Sequence, residues 1–417
     1  MGIQESAPLD VDAIREDFPI LQRRVGPEEK QVVYLDNAAT TQTPEPVVET
    51  ITDYYRQYNA NVHRGIHHLS QEASIAYEEA HDRLAEFVGA DGREEMVFTK
   101  NTTEAENLVA YAWGLNELGP GDEVVLTEME HHASLVTWQQ IAERTGATAR
   151  YIRVTDEGEL DMDHARKVIG EATAMVSAVH VSNALGTVNP IEALVDLAHD
   201  HDALIFVDGA QAVPTRPVDV KAIDADFYAF SGHKMLGPTG IGCLYGKEAL
   251  LDEMEPFNYG GDMIRKVTFE EATWNDLPWK FEAGTPVIAQ GIALAAAADY
   301  LDGIGMDRVR AHEEFLSEVA YERLSAIDGV EIYGPPPGDD RRAGLVSFNV
   351  EGVHAHDLAS IMNDHAVAIR AGDHCTQPLH DHLGITASAR ASFYVYNRPD
   401  EIDALIEGIE DAQELFA

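Results

Sequence analysis

Residues 204–234 read LIFVDGAQAVPTRPVDVKAIDADFYAFSGHK, and this stretch decides the fold. Two short apolar runs, Leu204–Val207 and Phe227–Phe230, each break off into polar residues. Asp208 to Gln211 follow the first run and Ser231 to Lys234 follow the second. Compact runs rich in β-branched and aromatic residues, closed by such clusters, read as strands.

The same unit recurs on both sides. Met96–Thr99, Glu123–Leu126, Met175–Val181 and Gly242–Tyr245 are further strand candidates, and amphipathic stretches such as Ser134–Thr145 and Ile191–Asp200 lie between them. Strand–helix alternation at this spacing predicts an α/β fold, a parallel sheet covered by helices on both faces. Thr102–Thr103, His131–His132 and Asn183 also follow strand candidates. Ligands of open α/β sheets bind outside the carboxyl ends of the strands, so these clusters predict one shared site.

Beyond Met306 the order changes to helix (Asp307–Ile327), strands (Glu331–Tyr333, Leu345–Asn349), helix (Ala355–Asp364), strand (Ala366–Ile369) and final helix (Glu401–Leu415). That reads as a smaller α+β unit. A chain of 417 residues exceeds what one core usually supports. The expected division is an N-terminal segment, 1–30, packing with the small domain; a large α/β domain, 31–300; and a small α+β domain, 301–417, carrying the loop of Cys375.

The net charge of −44 argues against nucleic acid or an anionic membrane as a partner. Lysine occurs only at positions 30, 100, 167, 221, 234, 247, 266 and 280. An acidic, lysine-poor surface suits a salt-rich cell interior, which gives the expectation of a halophilic source. Two cysteines, Cys243 and Cys375, without a Cys-x-x-Cys pair fit a reducing compartment. Met1 to Asp10 lacks the apolar core of a secretory signal, and the run Val287–Ala298 is too short to span a bilayer. A cytoplasmic protein is expected.

Candidate chemistry follows from the polar clusters. Lys234 stands at the rim of the expected cleft, where its amine could form a Schiff base with an aldehyde cofactor. A solvated loop lysine is the commoner meaning of such a position, but this chain otherwise avoids lysine. Asp208 suits the partner of a protonated pyridine nitrogen and equally a helix N-cap. Gln211 could bond a phenolic ring oxygen. Asn101-Thr102-Thr103-Glu104 opens a helix and could cradle a phosphate, or be a capping box alone; Ser231 and His233 could add contacts. His131 could stack on a flat ring or shuttle protons. Cys243 lies in an apolar strand and reads as core. Cys375 follows Arg370-Ala371-Gly372-Asp373-His374, a polar loop with a cationic and an imidazole neighbour, the sort of place where a thiolate is stabilised. Cys375, His380, His382 and His374 do not have a standard zinc spacing, so no metal is expected.

Together these segments resemble the class V aminotransferase-like, fold type I enzymes that use pyridoxal 5′-phosphate (PLP), and more closely the SufS-type (group II) cysteine desulfurases. The resemblance runs from Tyr34-Leu35-Asp36-Asn37-Ala38-Ala39 to the last helix. It is carried by Val62-His63-Arg64-Gly65-Ile66-His67, Glu130-His131-His132-Ala133, His180-Val181-Ser182-Asn183 and Val207-Asp208-Gly209-Ala210-Gln211-Ala212. Ser231-Gly232-His233-Lys234 with Gly237-Pro238-Thr239-Gly240, and Phe281-Glu282-Ala283-Gly284-Thr285-Pro286, complete the set.

The resemblance implies a large domain with a mostly parallel seven-stranded sheet plus a smaller C-terminal domain. It further implies that Lys234 carries PLP, Asp208 pairs the pyridine nitrogen, and His131 stacks on the ring. Gln211 and Asn183 would contact the ring oxygen or the substrate, and Thr102, Thr103, Ser231 and His233 the phosphate. Thr285 would complete the site of a neighbouring subunit in a homodimer. Arg390 would clamp the substrate carboxylate, with Arg370 beside it, and Cys375 would take sulfur from L-cysteine as L-alanine forms. A SufE- or SufU-like acceptor and the SufBCD scaffold of iron–sulfur cluster assembly are the implied destination. The group II pattern Arg-x-Gly-His-His-Cys-Ala is altered here: Asp373 replaces the first His and Thr376 the Ala. Asp373 is expected to oppose a neighbouring thiolate by like-charge repulsion. A selenocysteine lyase, a kynureninase-like enzyme or epimerase, and a catalytically silent PLP-binding subunit of a sulfur-transfer assembly are the alternatives.

Overall fold

Seven strands form the central sheet of the computed structural model, which describes residues 9–26 and 29–416. In chain order they are β1 (Met96–Thr99), β2 (Glu123–Thr127), β3 (Thr148–Ile152), β4 (Thr173–Val179), β5 (Leu204–Asp208), β6 (Phe227–Ser231) and β7 (Gly242–Gly246). The spatial order is β1-β7-β6-β5-β4-β2-β3. Neighbours from β6 to β3 are parallel, while β7 runs antiparallel to both β6 and β1. Two reversals return β1 to the direction of β6, so Thr102 emerges at the same edge as Asp208 and Ser231.

Six of these strands are legible as apolar runs. The seventh, Thr148–Ile152, is an edge strand whose residues alternate between exposed and half-buried up to the buried Ile152, so its apolar signal is weakened. Central strands are buried on both faces. Ile205 and Val207 pack with one layer of core and Phe206 with the other. The first layer is covered by helices α1 (His68–Val88), α4 (Ile191–His199) and α5 (Ile288–Ile304), the second by α2 (Thr102–Val109) and α3 (His132–Thr145).

Helix α6 (Met306–Ser325) leads into a second sheet of β8 (Val330–Tyr333), β9 (Leu345–Val350), β10 (Arg370–Gly372) and β11 (Ser388–Ser392). Its order is β8-β9-β11-β10, antiparallel throughout. Helices α6, α7 (Ala355–Asp364) and α9 (Pro399–Phe416) supply its core, with Leu316, Leu358, Leu405 and Ile409 against Val346 and Phe348. Between β10 and β11 lies α8 (Gln377–His382), so Cys375 sits on the short link from β10 to α8.

The N-terminal residues touch both units: Phe18 and Leu21 pack into the first layer of the large core, while other contacts reach the second unit. Val33–Tyr34 pairs in parallel with Val367–Ala368, and the Arg15 guanidinium donates to Glu401 at 2.8 Å while both are buried. Residues 1–8 and 27–28 of the expected 1–30 segment lie outside the described residues, as does most of the Met1 to Asp10 stretch. No helix among the described residues is long and apolar enough to cross a membrane.

Candidate active site

A cavity of about 360 Å³ opens where the carboxyl edge of the large sheet meets the link after β10. Asp208, Gln211, Ser231, His233 and Lys234 line it from β5 and β6. Thr102, Thr103, His131 and Asn183 reach it from the ends of β1, β2 and β4, and Arg370, Cys375 and Arg390 from the smaller sheet. Thr285, alone of the residues singled out for cofactor or substrate, is exposed and outside this cavity.

Asp208 ends β5 and is buried on the floor. One of its carboxylate oxygens accepts the Ala210 N–H at 2.9 Å, a local turn that leaves further acceptor capacity. Burial pushes its pKa up, against the pull of Lys234 and of that N–H. The following Gly209 permits the turn to close on β6: a Cβ there would lie 1.9 Å from the Tyr228 ring. Lys234 is held down at about 8, chiefly by loss of hydration, with Arg390 adding to the effect and Asp208 and Cys375 opposing it. An amine so placed is a usable nucleophile near neutral pH.

His131 caps α3, its Nδ1 accepting the Ala133 N–H at 3.0 Å. Burial first, and Lys234 second, push it down to about 4, so the ring facing the cavity is neutral. His233 is lowered to about 4 by burial and by Lys234. Ser231 Oγ accepts the Thr102 N–H at 2.9 Å and lies 2.8 Å from Thr102 Oγ1. Asn101 caps Glu104 N–H at 2.9 Å. Among the described residues this leaves the Thr103 N–H at the start of α2 without a protein acceptor, the arrangement that suits an anion. Gln211 is buried and donates to Ala38 O at 2.6 Å.

Three buried polar atoms bordering the cavity have no protein partner among the described residues: Asn183 Oδ1, Arg390 Nε and His374 Nδ1. Such atoms are costly unless something else satisfies them. Arg390 donates to Asn183 O at 2.7 Å and faces Asp36 at 3.5 Å. Burial lowers its pKa to about 10, with Arg370 contributing. Arg370 forms a two-pronged pair with Asp36, at 3.1 and 2.8 Å. Asp36 is the participant to which sequence reading assigned no part, although its segment Tyr34–Ala39 was conspicuous; only the fold brings it between two arginines.

Cys375 is exposed on the cavity wall, which it shares with Lys234, Arg370 and Arg390. Cys243 is fully buried in β7. The histidines near Cys375 have structural partners. His374 and His380 both meet Ser388 Oγ, at 3.0 and 3.2 Å, and His382 faces Glu128 at 3.6 Å.

The arrangement therefore offers a buried amine, a carboxylate beneath it, an anion cradle at a helix start, a partly unpaired guanidinium and an accessible thiol, all on one cavity. The class-V aminotransferase family matches residues 33–405. The chain is 71% identical, over the whole of both chains, to a probable cysteine desulfurase of Halobacterium salinarum. It is 69% identical, again over the whole of both, to a cysteine desulfurase of Haloferax volcanii. Among solved structures it is similar to the cysteine desulfurase CsdA of Escherichia coli, at TM-score 0.91 and 36% identity over 99% of this chain and 100% of that one. It is also similar to the apo cysteine desulfurase of Thermococcus onnurineus, at TM-score 0.90 and 41% identity over 98% and 99%.

Proposed function

The chain belongs to the class-V aminotransferase family, among its cysteine desulfurases, and from this we propose that it converts L-cysteine to L-alanine with Cys375 receiving the sulfur. One observation carries the reading of the site: the Lys234 amine, the Arg390 guanidinium and the Cys375 thiol border the same cavity.

The family's cofactor is PLP, and the residues present fit it. Lys234 would hold the aldehyde carbon, Asp208 the pyridine nitrogen, and Thr102, Thr103, Ser231 and His233 the phosphate. The uncapped Thr103 N–H supports the last assignment. When bound, the cofactor supplies an electron sink for the substrate's α-carbon.

The protein's own groups do the rest. Arg390 orients the substrate carboxylate through its unpartnered edge, as a planar guanidinium does best. Lys234 moves a proton at the α-carbon, His131 provides a neutral face and a proton relay, and Asn183 and Gln211 steady the reacting groups. The Cys375 thiolate attacks the substrate sulfur. An S–S bond forms as the C–S bond breaks, leaving a persulfide on Cys375 and, after proton uptake, alanine. Arg370 and Arg390 line the same cavity as the attacking sulfur.

The finer assignment is a SufS-type (group II) enzyme of the cytoplasm, feeding a SufE- or SufU-like acceptor and SufBCD-directed iron–sulfur assembly. The short link between β10 and α8 supports the subtype. A homodimer completed by Thr285 is supported by exposed Ile66, Tyr259 and Val287. Their segments are tied together by the Arg64–Asp262 pair and the bond from Gly284 N–H to Gly261 O. The charge of −44 and the two haloarchaeal relatives support a halophilic protein. Two domains, 31–300 and 301–417, fit the two sheets, and the buried Arg15–Glu401 pair supports packing of the N-terminal segment with the second.

Mass spectrometry of Cys375 after incubation with L-cysteine tests the reading. One added sulfur is expected, and none in Cys375→Ala, which keeps the cofactor's visible absorption. Normal alanine and sulfide production by that variant would remove Cys375 from the mechanism.

A further inference from the structure

The two positions at which the cysteine loop leaves the group II pattern, Asp373 and Thr376, are bonded to each other around Cys375. The Asp373 carboxylate accepts the Cys375 N–H at 3.0 Å. The Asp373 carbonyl accepts both the N–H and the hydroxyl of Thr376, each at 2.8 Å. Thr376 is fully buried, and its hydroxyl also lies 3.3 Å from His380 Nδ1.

These bonds enclose an uphill piece of backbone. His374 and Cys375 are consecutive residues with φ of 50° and 59°. L residues with a Cβ rarely occupy that region, and two in a row need the surroundings to impose it. The large-sheet side adds three bonds. Asn183 Nδ2 donates to His374 O at 2.7 Å, His132 N–H to Cys375 O at 2.8 Å, and Gln377 N–H to His132 Nε2 at 3.0 Å. The backbone amides of Cys375, Thr376 and Gln377 are therefore all occupied, two of them by Asp373.

We propose that Asp373 and Thr376 form a clasp that fixes the left-handed backbone at Cys375 and so aims its thiol into the cleft; both are positioning residues for sulfur transfer. The inference rests on the reading of Cys375 as sulfur acceptor. It gives Asp373 a task that its charge alone would not suggest: the carboxylate beside the thiol is there as a hydrogen-bond acceptor. Each departure adds one bond to the same turn: the Asp373 carboxylate holds the Cys375 N–H, and the Thr376 hydroxyl, which an alanine lacks, holds the backbone carbonyl of residue 373.

The test is hydrogen–deuterium exchange of the 372–377 segment in the full-length, PLP-loaded enzyme without substrate, alongside single-turnover persulfide formation on Cys375. In Asp373→Ala, exchange at Cys375, Thr376 and Gln377 is expected to speed up at least tenfold together. Persulfide formation should slow by a similar factor while the cofactor's absorption stays unchanged. Asp373→Asn keeps an acceptor oxygen without the charge and should restore both readouts to within about threefold of the parent. Thr376→Ala should move both in the same direction as Asp373→Ala, and Thr376→Ser should not. The clasp is overturned if only the Cys375 amide accelerates in Asp373→Ala, or if Asp373→Asn behaves like Asp373→Ala. If instead Cys375→Ala still yields alanine and sulfide, the sulfur-acceptor reading fails while the exchange result stands independently.

Discussion

Asn183 Nδ2 donates to the carbonyl oxygen of His374 at 2.7 Å, tying the edge of the seven-stranded sheet to the loop of the reactive cysteine. The bond spans 191 positions of chain. It leaves Asn183 Oδ1 unpartnered in the cavity, so one side chain both holds the loop and offers an acceptor to a bound molecule.

Asn183→Ala should therefore lower kcat/KM for L-cysteine by roughly tenfold to a hundredfold, since a lost buried hydrogen bond costs about 1–3 kcal/mol. Cofactor absorption should persist. Steady-state kinetics decide it, and parental kcat/KM would show the tie to be idle.

Arg390→Lys retains a positive charge but loses the planar fork. With one guanidinium arm already given to Asn183 O, the remaining edge is what a carboxylate needs. KM for L-cysteine should rise on the order of tenfold or more, with a smaller change in kcat. Arg370→Lys should be milder, because Arg370 is already engaged with Asp36. Equal effects at the two positions would contradict the assignment.

Lys234 titrates at about 8 when folded, below its ordinary 10.5. Between those values the unfolded chain binds more protons than the folded one, so stability rises with pH across that window. In cofactor-stripped protein, urea midpoints should show the parent gaining on Lys234→Ala by on the order of 1–3 kcal/mol from pH 8 to 10.5. A flat difference would mean that the amine is fully hydrated.

Glu106 is the opposite case. It is buried and accepts from Trp138 Nε1, Ser134 Oγ and Ser177 Oγ; burial first, and Asp208 second, raise it to about 8. The folded state then binds more protons between about 4.5 and 8, and stability falls as pH rises through that window. Glu106→Gln does not titrate, so it should gain on the parent by on the order of 1–4 kcal/mol as pH goes from 5 to 8, with no further gain above 8. Denaturant titrations at four or five pH values would reveal a missing slope.

A net charge of −44 carries its own expectation. Self-repulsion opposes the compact state, and salt shortens the Debye length from about 10 Å at 0.1 M to about 3 Å at 1 M. The melting temperature should climb steadily with KCl over that range. A falling Tm would place the acidic surface outside the stability balance.

The sheet was legible wherever strands are buried on both faces, because continuous apolar runs such as Leu204–Val207 have no other economical arrangement. Thr148–Ile152 escaped because an edge strand half in water spreads its apolar residues among polar ones. For the site, the residue types and their recurrence after strands located Asp208, Ser231 and Lys234. Their partners were not legible. Asp36 meets Arg370 across 334 residues and Asn183 meets Arg390 across 207.

By itself the sequence determined the alternation of strands and helices, the polar edge where a ligand would bind, and the kinds of group available there. These are properties of a local pattern, since periodicity and propensity act over a few residues. Tertiary structure alone decided which groups face one another, that Thr103 N–H finds no acceptor among the described residues, and that Asp373 acts on Cys375 as an acceptor bonded to its backbone. Pairing, burial and the resulting shifts in proton affinity depend on distances that only the folded chain defines.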